Sequence, residues 1–369
     1  MTAIHAMTSV AELPDTHLSS AELLLARQAA TQTSQGLTDA QRSALIRQRI
    51  MAESDRLRAA HPWLLKQDRI GASLLAVSLA GMLLNAWSYA QGWQPAWVTV
   101  LVAAFCASIT HEIEHDLIHW MYFRKLPWAH HLMMALVWLA RPSTINPWVR
   151  RQLHLDHHKF SGTVKDMEER AITNGVAWGP RRLLMVGDNA LSLILRMIWT
   201  PKSALTKRML SPGFTTYSPL TTLHWTSWHA FLLLHAGNLI ANLQGHASPW
   251  PQSIQSLLPA LDFAVVVWFG PNVLRTFCLH FVGSNMHYFG DVEEGNLMQQ
   301  CQVLTPWWMA PMQLFCFNFG STHAIHHFVV RDPFYLRQMT APVAHRVMRE
   351  MGVRFNDVGT FWRANRRMA

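Results

Sequence analysis

Residues 70–90 form an apolar run without a charged side chain. About twenty such residues in a helix cross the hydrocarbon core of a bilayer, and a helix satisfies its own backbone hydrogen bonds there. Only 14% of the 369 residues are charged, against about 25% in a typical soluble domain. The run therefore predicts a helical membrane protein.

Three later apolar runs, residues 97–109, 223–243 and 260–281, predict further spans. Residues 70–109 form a first pair of runs and residues 223–281 a second pair. The segment between the two pairs is rich in Lys and Arg, so the side of the membrane on which it lies is predicted to be the cytoplasm. We predict an all-α integral membrane fold with four transmembrane helices in two hairpins. A helical cytoplasmic cap would hold a histidine-rich di-metal site.

The polar ends of the chain flank this membrane domain, which we place at residues 70–337. Residues 1–69 are predicted to be a cytoplasmic extension with an amphipathic helix that starts at the N-cap Thr38, and residues 338–369 a basic cytoplasmic tail. The net charge of +9 comes without a recognised nucleic-acid module. Anionic lipid headgroups account for it better, so we predict a multi-pass protein with cytoplasmic termini and no nucleic-acid partner.

Histidines cluster on the predicted cytoplasmic side. Residues 154–158 and 323–327 both read H-x-x-H-H, which on a helix places all three rings on one face. Nine imidazoles exceed the three protein ligands of a catalytic zinc, so two metal ions are predicted. The nine candidate ligands are His111, His115, His154, His157, His158, His287, His323, His326 and His327.

Residues 111–119 leave two alternatives open, because His111, His115 and His119 follow at a four-residue spacing. The first box could be His111 with His115, or His115 with His119. Residues 111–115 also match H-E-x-x-H, in which Glu112 would be the general base of a membrane zinc metalloprotease. Carboxylates near the boxes could accept imidazole N–H groups, namely Glu112, Glu114, Asp116 and Asp156.

The order of H-x-x-x-H, H-x-x-H-H, a single His and a second H-x-x-H-H resembles the membrane-bound fatty acid desaturase superfamily, the histidine-box di-iron enzymes. The resemblance covers residues 70–337. Residues 110–116 (Thr-His-Glu-Ile-Glu-His-Asp), residues 154–162 (His-Leu-Asp-His-His-Lys-Phe-Ser-Gly) and the His287-Tyr288 pair are most similar to sphingoid-type desaturases, with some likeness to alkane hydroxylases.

The resemblance implies two iron ions held by the nine histidines, O2 as co-substrate, and desaturation of a long-chain acyl or lipid hydrocarbon chain. Hydroxylation of such a chain by the same centre is the alternative. Asp166, Glu168 and Glu169 stand where the family often has acidic residues. Stearoyl-type desaturases have a water-holding Asn four residues before the single His, and Gly283 occupies that position here, which does not favour this role for Asn285.

The electron source is predicted to be a separate protein. The sequence has neither the His-Pro-Gly-Gly motif of a fused cytochrome b5 nor a Gly-rich dinucleotide fingerprint. We therefore expect an external donor of the ferredoxin, rubredoxin or cytochrome type, with its reductase, to bind the basic cytoplasmic face.

Overall fold

The computed structural model describes residues 36–199 and 214–368, and the first half of the predicted 1–69 extension lies outside them. Among the described residues there are only isolated β-bridges, between His287 and Cys301 and between Val303 and Phe355. The chain is otherwise built from helices. These are α1 (Asp39–Ala60), α2 (Gln67–Ala90), α3 (Ala96–Ile118), α4 (Pro127–Ala140), α5 (Pro147–Phe160), α6 (Met167–Ile172), α7 (Pro180–Gly187), α8 (Asn189–Trp199), α9 (Phe214–Tyr217), α10 (Leu220–Leu243), α11 (Gln252–Gln255), α12 (Leu258–Ala264), α13 (Gly270–Met286), α14 (Leu297–Gln300), α15 (Ala310–Phe315), α16 (Phe319–Phe328) and α17 (Phe334–Glu350).

Short 3-10 turns at Pro62–Leu65, Trp307–Met309 and Val358–Thr360 join some of the helices, and a π-helical segment at Val265–Phe269 connects α12 to α13. The run Gln252–Met286 is one of three helical segments in the described chain that are long and apolar enough to cross a membrane, together with α2 and α3.

The predicted third span, α10, is 24 residues long but is not among those three segments. The prediction of four spans in two hairpins with a cytoplasmic cap therefore stays a prediction. The first hairpin does form: α2 packs along α3, and Asn85 Nδ2 donates to the Thr99 carbonyl at 2.9 Å.

The predicted N-cap of α1 at Thr38 is confirmed. The Gln41 amide donates to Thr38 Oγ1 at 3.3 Å, and the Thr38 amide donates to Gln41 Oε1 at 2.9 Å, which completes a capping box. The apolar side of α1, with Ile46 and Ile50 fully buried, belongs to the same core cluster as Met348 of α17. The extension and the C-terminal helix are thus packed together.

The helix α3 continues well past the predicted apolar run and ends at Ile118, so the span and the first histidine box are one helix. Every residue from Thr110 to Ile118 is buried. The helix α3 packs against α13, α5 and α15, and its last turn, at His115, meets histidines of the other boxes.

The C-terminal segment after α17 supports the end of α13. Asn365 Nδ2 donates to the His287 carbonyl at 2.9 Å, and Thr360 Oγ1 donates to the Asn285 carbonyl at 2.8 Å. Arg182 reaches the same place, where its NH2 group donates to Asn365 Oδ1 at 2.9 Å. Residues remote in sequence therefore fix the backbone around the single His.

Candidate metal centre

Five histidines from three helices form a first group. In four of them the Nε2 atoms make a closed quadrilateral: His119 to His154 is 3.0 Å, His154 to His158 is 3.2 Å, His158 to His326 is 2.9 Å and His326 to His119 is 3.0 Å. His115 belongs to the same group, with its ligand atom within 4.8 Å of those of His119, His154 and His326.

A second group lies beside the first. It contains the single His287, two residues of the last box and one of the middle box: His157, His287, His323 and His327. The Nε2 atom of His287 is 3.1 Å from that of His323 and 3.4 Å from that of His327, and the last two are 3.2 Å apart. All four side chains are buried.

These separations fit metal ions rather than hydrogen bonds. An imidazole nitrogen has one proton or one lone pair, so no Nε2 atom can make two hydrogen bonds to other Nε2 atoms. Nitrogens bound at right angles to one metal at about 2.1 Å lie about 3.0 Å apart, which matches both groups. Imidazole-rich sites suit iron, copper or zinc.

Helix geometry explains how each H-x-x-H-H box serves both groups. At about 100° per residue, positions i and i+4 differ by only about 40°, whereas i+3 points about 100° away from i+4. Accordingly His154 and His158 of α5 join the first group and His157 joins the second. In α16 the assignment is reversed, with His323 and His327 in the second group and His326 in the first.

Acidic residues just after the middle box orient the rings. His154 Nδ1 lies 2.6 Å from Glu168 Oε2, His157 Nδ1 lies 2.8 Å from Asp166 Oδ2, and His287 Nδ1 is 3.4 Å from Glu169 Oε1. A carboxylate that accepts from Nδ1 leaves Nε2 free to bind a metal and raises the basicity of the ring. Each of the three rings therefore has one carboxylate beside its Nδ1 atom, from Glu168, Asp166 and Glu169 respectively.

The protonation of the rings follows from burial and from these carboxylates. Burial lowers the pKa of His158, His326 and His327 well below the ordinary value, and other histidines nearby lower it further. Their rings are therefore neutral at pH 7, as metal ligands must be. Burial also lowers the pKa of His157, but Asp166 and the other two carboxylates outweigh it and raise this pKa to about 9.

His111 lies in neither group. Its Nδ1 atom is 3.1 Å from a guanidinium nitrogen of Arg141, while its Nε2 atom is buried without a hydrogen-bond partner. Its ring instead faces Phe319, with the ring centres 6.0 Å apart. A zinc held by His111 and His115 would need both rings in one group, so the geometry does not favour the zinc-protease alternative.

The other predicted supporting residues have different partners. Asp116 accepts from Tyr122 at 2.7 Å and from Arg337 at 2.9 Å, and Glu112 lies 3.5 Å from the same Arg337 group, which is also 3.5 Å from His115 Nδ1. Asp156 accepts from the side chain of its own helix neighbour Gln152 at 3.1 Å. These carboxylates accept no hydrogen bond from a histidine ring.

Asn285 does not face the metal groups. Its Nδ2 atom donates to the Phe281 carbonyl at 2.8 Å, and its Oδ1 atom lies 3.3 Å from Thr360 Oγ1. The Nδ2 contact lies within α13, and the Oδ1 contact reaches the C-terminal segment, so the side chain has a structural contact at each end.

Arg150 and Arg141 are site residues that sequence reasoning missed. Arg150 Nε donates to Glu168 Oε1 at 3.0 Å, and its NH1 group donates to Glu114 Oε2 at 3.0 Å. Glu114 also pairs with Arg141, which contacts His111. These ion pairs connect the first box to Glu168, the carboxylate that contacts His154. No local spacing in the sequence indicates them.

A cavity of about 510 Å³ opens beside both groups. Histidines of the two groups line it, together with apolar side chains and Gly283. The apolar lining includes Phe160, Ile172, Leu193, Leu279 and Phe319. Such a volume and lining are typical of sites for small, largely apolar ligands.

Three helical segments are long and apolar enough to cross a membrane, and two buried groups of histidines could each hold a metal ion, which together point to a membrane metalloprotein. A search of curated proteins finds no match to the chain. A family model described as fatty acid desaturase matches residues 91–359, and the chain belongs to this family. It is therefore an oxidoreductase, and the predicted superfamily is confirmed.

Proposed function

We propose that the protein is an O2-dependent desaturase of a long-chain fatty acyl or lipid hydrocarbon chain, with a di-iron centre held by histidine. The observation that carries this proposal is the closed quadrilateral of Nε2 atoms beside a second group of four rings. Two bound iron ions would supply the oxidation of unactivated C–H bonds by O2.

The ligand set that we propose differs from the first sequence hypothesis at one position. His115, His119, His154, His158 and His326 would hold one ion, and His157, His287, His323 and His327 the other. His119 takes the place of His111, because His119 Nε2 is part of the quadrilateral whereas the ring of His111 lies in neither group.

The remaining residues would position the rings and the substrate. The carboxylates of Asp166 and Glu168 would keep the protons on Nδ1 of His157 and His154, and Glu169 would place its negative charge 3.4 Å from Nδ1 of His287. The apolar wall of the cavity would hold a hydrocarbon chain beside the ligands and keep water away from it. Electrons would come from an external ferredoxin, rubredoxin or cytochrome-type donor with its reductase.

The proposed topology has the boxes and both termini in the cytoplasm and four spans in two hairpins. It is supported by the two apolar helices that end at the site: α3 brings His115 to its last turn, and α13 ends directly before His287. Both helices thus approach the boxes with their C-terminal ends, as expected when each is the returning arm of a hairpin.

The test is to express the chain in a host that lacks the activity and to analyse the lipids by mass spectrometry. We expect products that have lost two hydrogen atoms. Products that have gained one oxygen atom would replace desaturation with hydroxylation, and unchanged lipids from an iron-loaded protein with a working electron donor would refute both.

Metal analysis after gentle purification in detergent gives an independent test. We expect iron at about two ions per chain, since nine rings exceed what one ion can bind. One zinc per chain, together with proteolysis that Glu112→Gln abolishes, would instead support the metalloprotease.

A further inference from the structure

Arg275 of α13 is a buried cation in the apolar segment Gln252–Met286, one of the three candidate spans. The residue is 1% exposed. A guanidinium group keeps its positive charge in proteins, and a charge inside a membrane segment is unfavourable unless a partner compensates it. Arg275 therefore needs either an anionic partner or a full set of strong acceptors.

Two hydroxyl groups are the only acceptors that the described residues offer to Arg275. Its NH2 group donates to Thr276 Oγ1 at 2.9 Å and to Ser143 Oγ at 3.2 Å, and the two hydroxyl oxygens are 2.9 Å apart. The Nε and NH1 atoms are buried without a hydrogen-bond partner. One N–H bond on Nε and two on NH1 are thus left without an acceptor.

The described part of the chain also supplies no negative charge to Arg275. Glu114 is shared by Arg141 and Arg150, and no described carboxylate forms an ion pair with Arg275 or acts on it electrostatically, whereas Arg150 repels it. Burying an uncompensated charge is strongly destabilising. The missing partner must therefore be a ligand.

Arg182 shows how a buried arginine is satisfied without a carboxylate. It is 0% exposed, and its NH1 and NH2 groups donate to three backbone carbonyls and to the amide oxygen of Asn365, at 2.8–3.1 Å. Hydrogen bonds from a charged group to such oxygens are strong. Arg275 has two neutral hydroxyls in place of these four acceptors, so the explanation that holds for Arg182 does not hold for it.

The place is buried beneath α10 and lies outside the cavity beside the metal groups. Trp225 of α10 is 5% exposed, and its Nε1 atom donates to the Ser143 carbonyl at 3.3 Å. Thr144 lines the cavity, but its neighbour Ser143 and Arg275 do not. A ligand of Arg275 would thus be held in the protein behind the cavity wall.

A small anion with one negative charge matches this arrangement. It would accept from the free N–H groups and cancel the single charge of Arg275. One hydroxyl proton lies between Ser143 and Thr276, so the proton of the second hydroxyl is also free to be donated. Water would accept hydrogen bonds but leave the charge in place, and an ion with two negative charges would reverse the charge instead of cancelling it.

We propose that Arg275, Ser143 and Thr276 form a binding site for a small inorganic monoanion such as chloride. The bound anion would tie α13 to the segment between α4 and α5. This segment also carries Arg141, which contacts His111, and Thr144, which lines the cavity. The anion would therefore stabilise the cavity wall, and this role does not depend on the metal chemistry.

The test compares thermal unfolding of the purified, iron-loaded protein in detergent in sodium chloride and in sodium gluconate at equal ionic strength. Gluconate has the same charge but is too large for a small buried site. We expect an unfolding temperature about 3 °C higher in chloride, with saturation as chloride replaces gluconate. Equilibrium dialysis with radioactive chloride should find a bound ion that gluconate does not displace. Equal unfolding temperatures and no bound chloride would overturn the site.

Matched variants show where the ion binds. Arg275→Met removes the charge at similar length and should abolish chloride binding and the chloride effect, and in gluconate it should be at least as stable as the original protein, because no uncompensated charge remains buried. Arg182→Met should lower the stability equally in both salts, since chain oxygens satisfy Arg182. Chloride bound at the iron ions would persist in Arg275→Met, and an equal chloride effect in this variant would refute the inference.

A milder replacement tests the hydroxyl groups without removing the charge. Thr276→Val keeps the shape of the side chain but loses one hydroxyl, so the chloride concentration that gives the half-maximal effect should rise about tenfold. An unchanged half-maximal concentration would contradict the participation of Thr276 in the site.

A lipid carboxylate is another source of a single negative charge, and laurate in gluconate buffer is its probe. We expect laurate not to replace chloride, because Arg275 does not line the cavity. Stabilisation by laurate that Arg275→Met abolishes, without any effect of chloride, would overturn the inorganic ion and assign Arg275 to an acyl ligand.

Discussion

Asp166 offers a test of how the ligands of the second metal group are held before a metal binds, because its carboxylate raises the pKa of the His157 ring. His157 Nδ1 and Asp166 Oδ2 are 2.8 Å apart, and both side chains are 1% exposed. The pKa of His157 is about 9 against an ordinary value of 6.5. At about 1.4 kcal/mol per pKa unit, the interactions of the charged His157 ring with Asp166 and the two glutamates stabilise the metal-free protein by roughly 3–4 kcal/mol, and Asp166 makes the largest contribution.

The pH dependence of this effect has a definite sign. A folded-state pKa above the unfolded value gives stability that is fully present below pH 6.5 and is lost as the pH rises through about 9. Asp166→Asn removes the charge at constant size. We expect it to lower the free energy of unfolding of the metal-free protein by about 1–3 kcal/mol at pH 6, and to have a much smaller effect at pH 10.

The assay is unfolding of the metal-free protein in detergent at a series of pH values, with Asp156→Asn as the matched control. Asp156 is on the same helix, one residue before His157, but it accepts from Gln152 and from no histidine. Its replacement should have little effect at any pH. A loss of stability in Asp166→Asn that is independent of pH, or an equal loss in Asp156→Asn, would refute the reasoning.

Other predictions concern the ligands, the core and a turn. His119→Asn should lower the iron content from about two ions to about one per chain and abolish turnover, whereas His111→Asn should retain both ions. Metal analysis of the purified variants measures this difference, and the opposite result would restore His111 as a ligand. Ile325→Ala should destabilise the protein by about 2–5 kcal/mol, because this side chain within the last box is 0% exposed and belongs to the core cluster. Thermal unfolding should show no comparable loss for the control Leu314→Ala, since Leu314 is 51% exposed. Gly162→Ala should lower the unfolding temperature clearly, since Gly162 has a φ of +82° and an added Cβ would lie 2.3 Å from a valine side chain; an unchanged unfolding temperature would contradict the close packing of this turn.

The sequence predicted most of the histidines that the structure brings together, because spacing along a helix is a local property. The H-x-x-H-H pattern is enough to put His154, His157 and His158 on one face of a helix, and the structure does bring these three rings to the two groups. The uncharged run at residues 70–90 likewise predicts a span by its length, and α2 is one of the three candidate spans. The capping of α1 at Thr38 was also readable from a few neighbouring residues.

Only the tertiary structure decided which histidine ring joins which of the two groups. The equal spacing of His111, His115 and His119 makes them equivalent in sequence, but the other boxes meet α3 at its last turn, so the final two rings enter the group and the first contacts Arg141. Helix geometry separates the i+3 ring of each box from the i and i+4 rings, but which group each ring joins depends on how α5 and α16 face each other. Long-range packing fixes this choice.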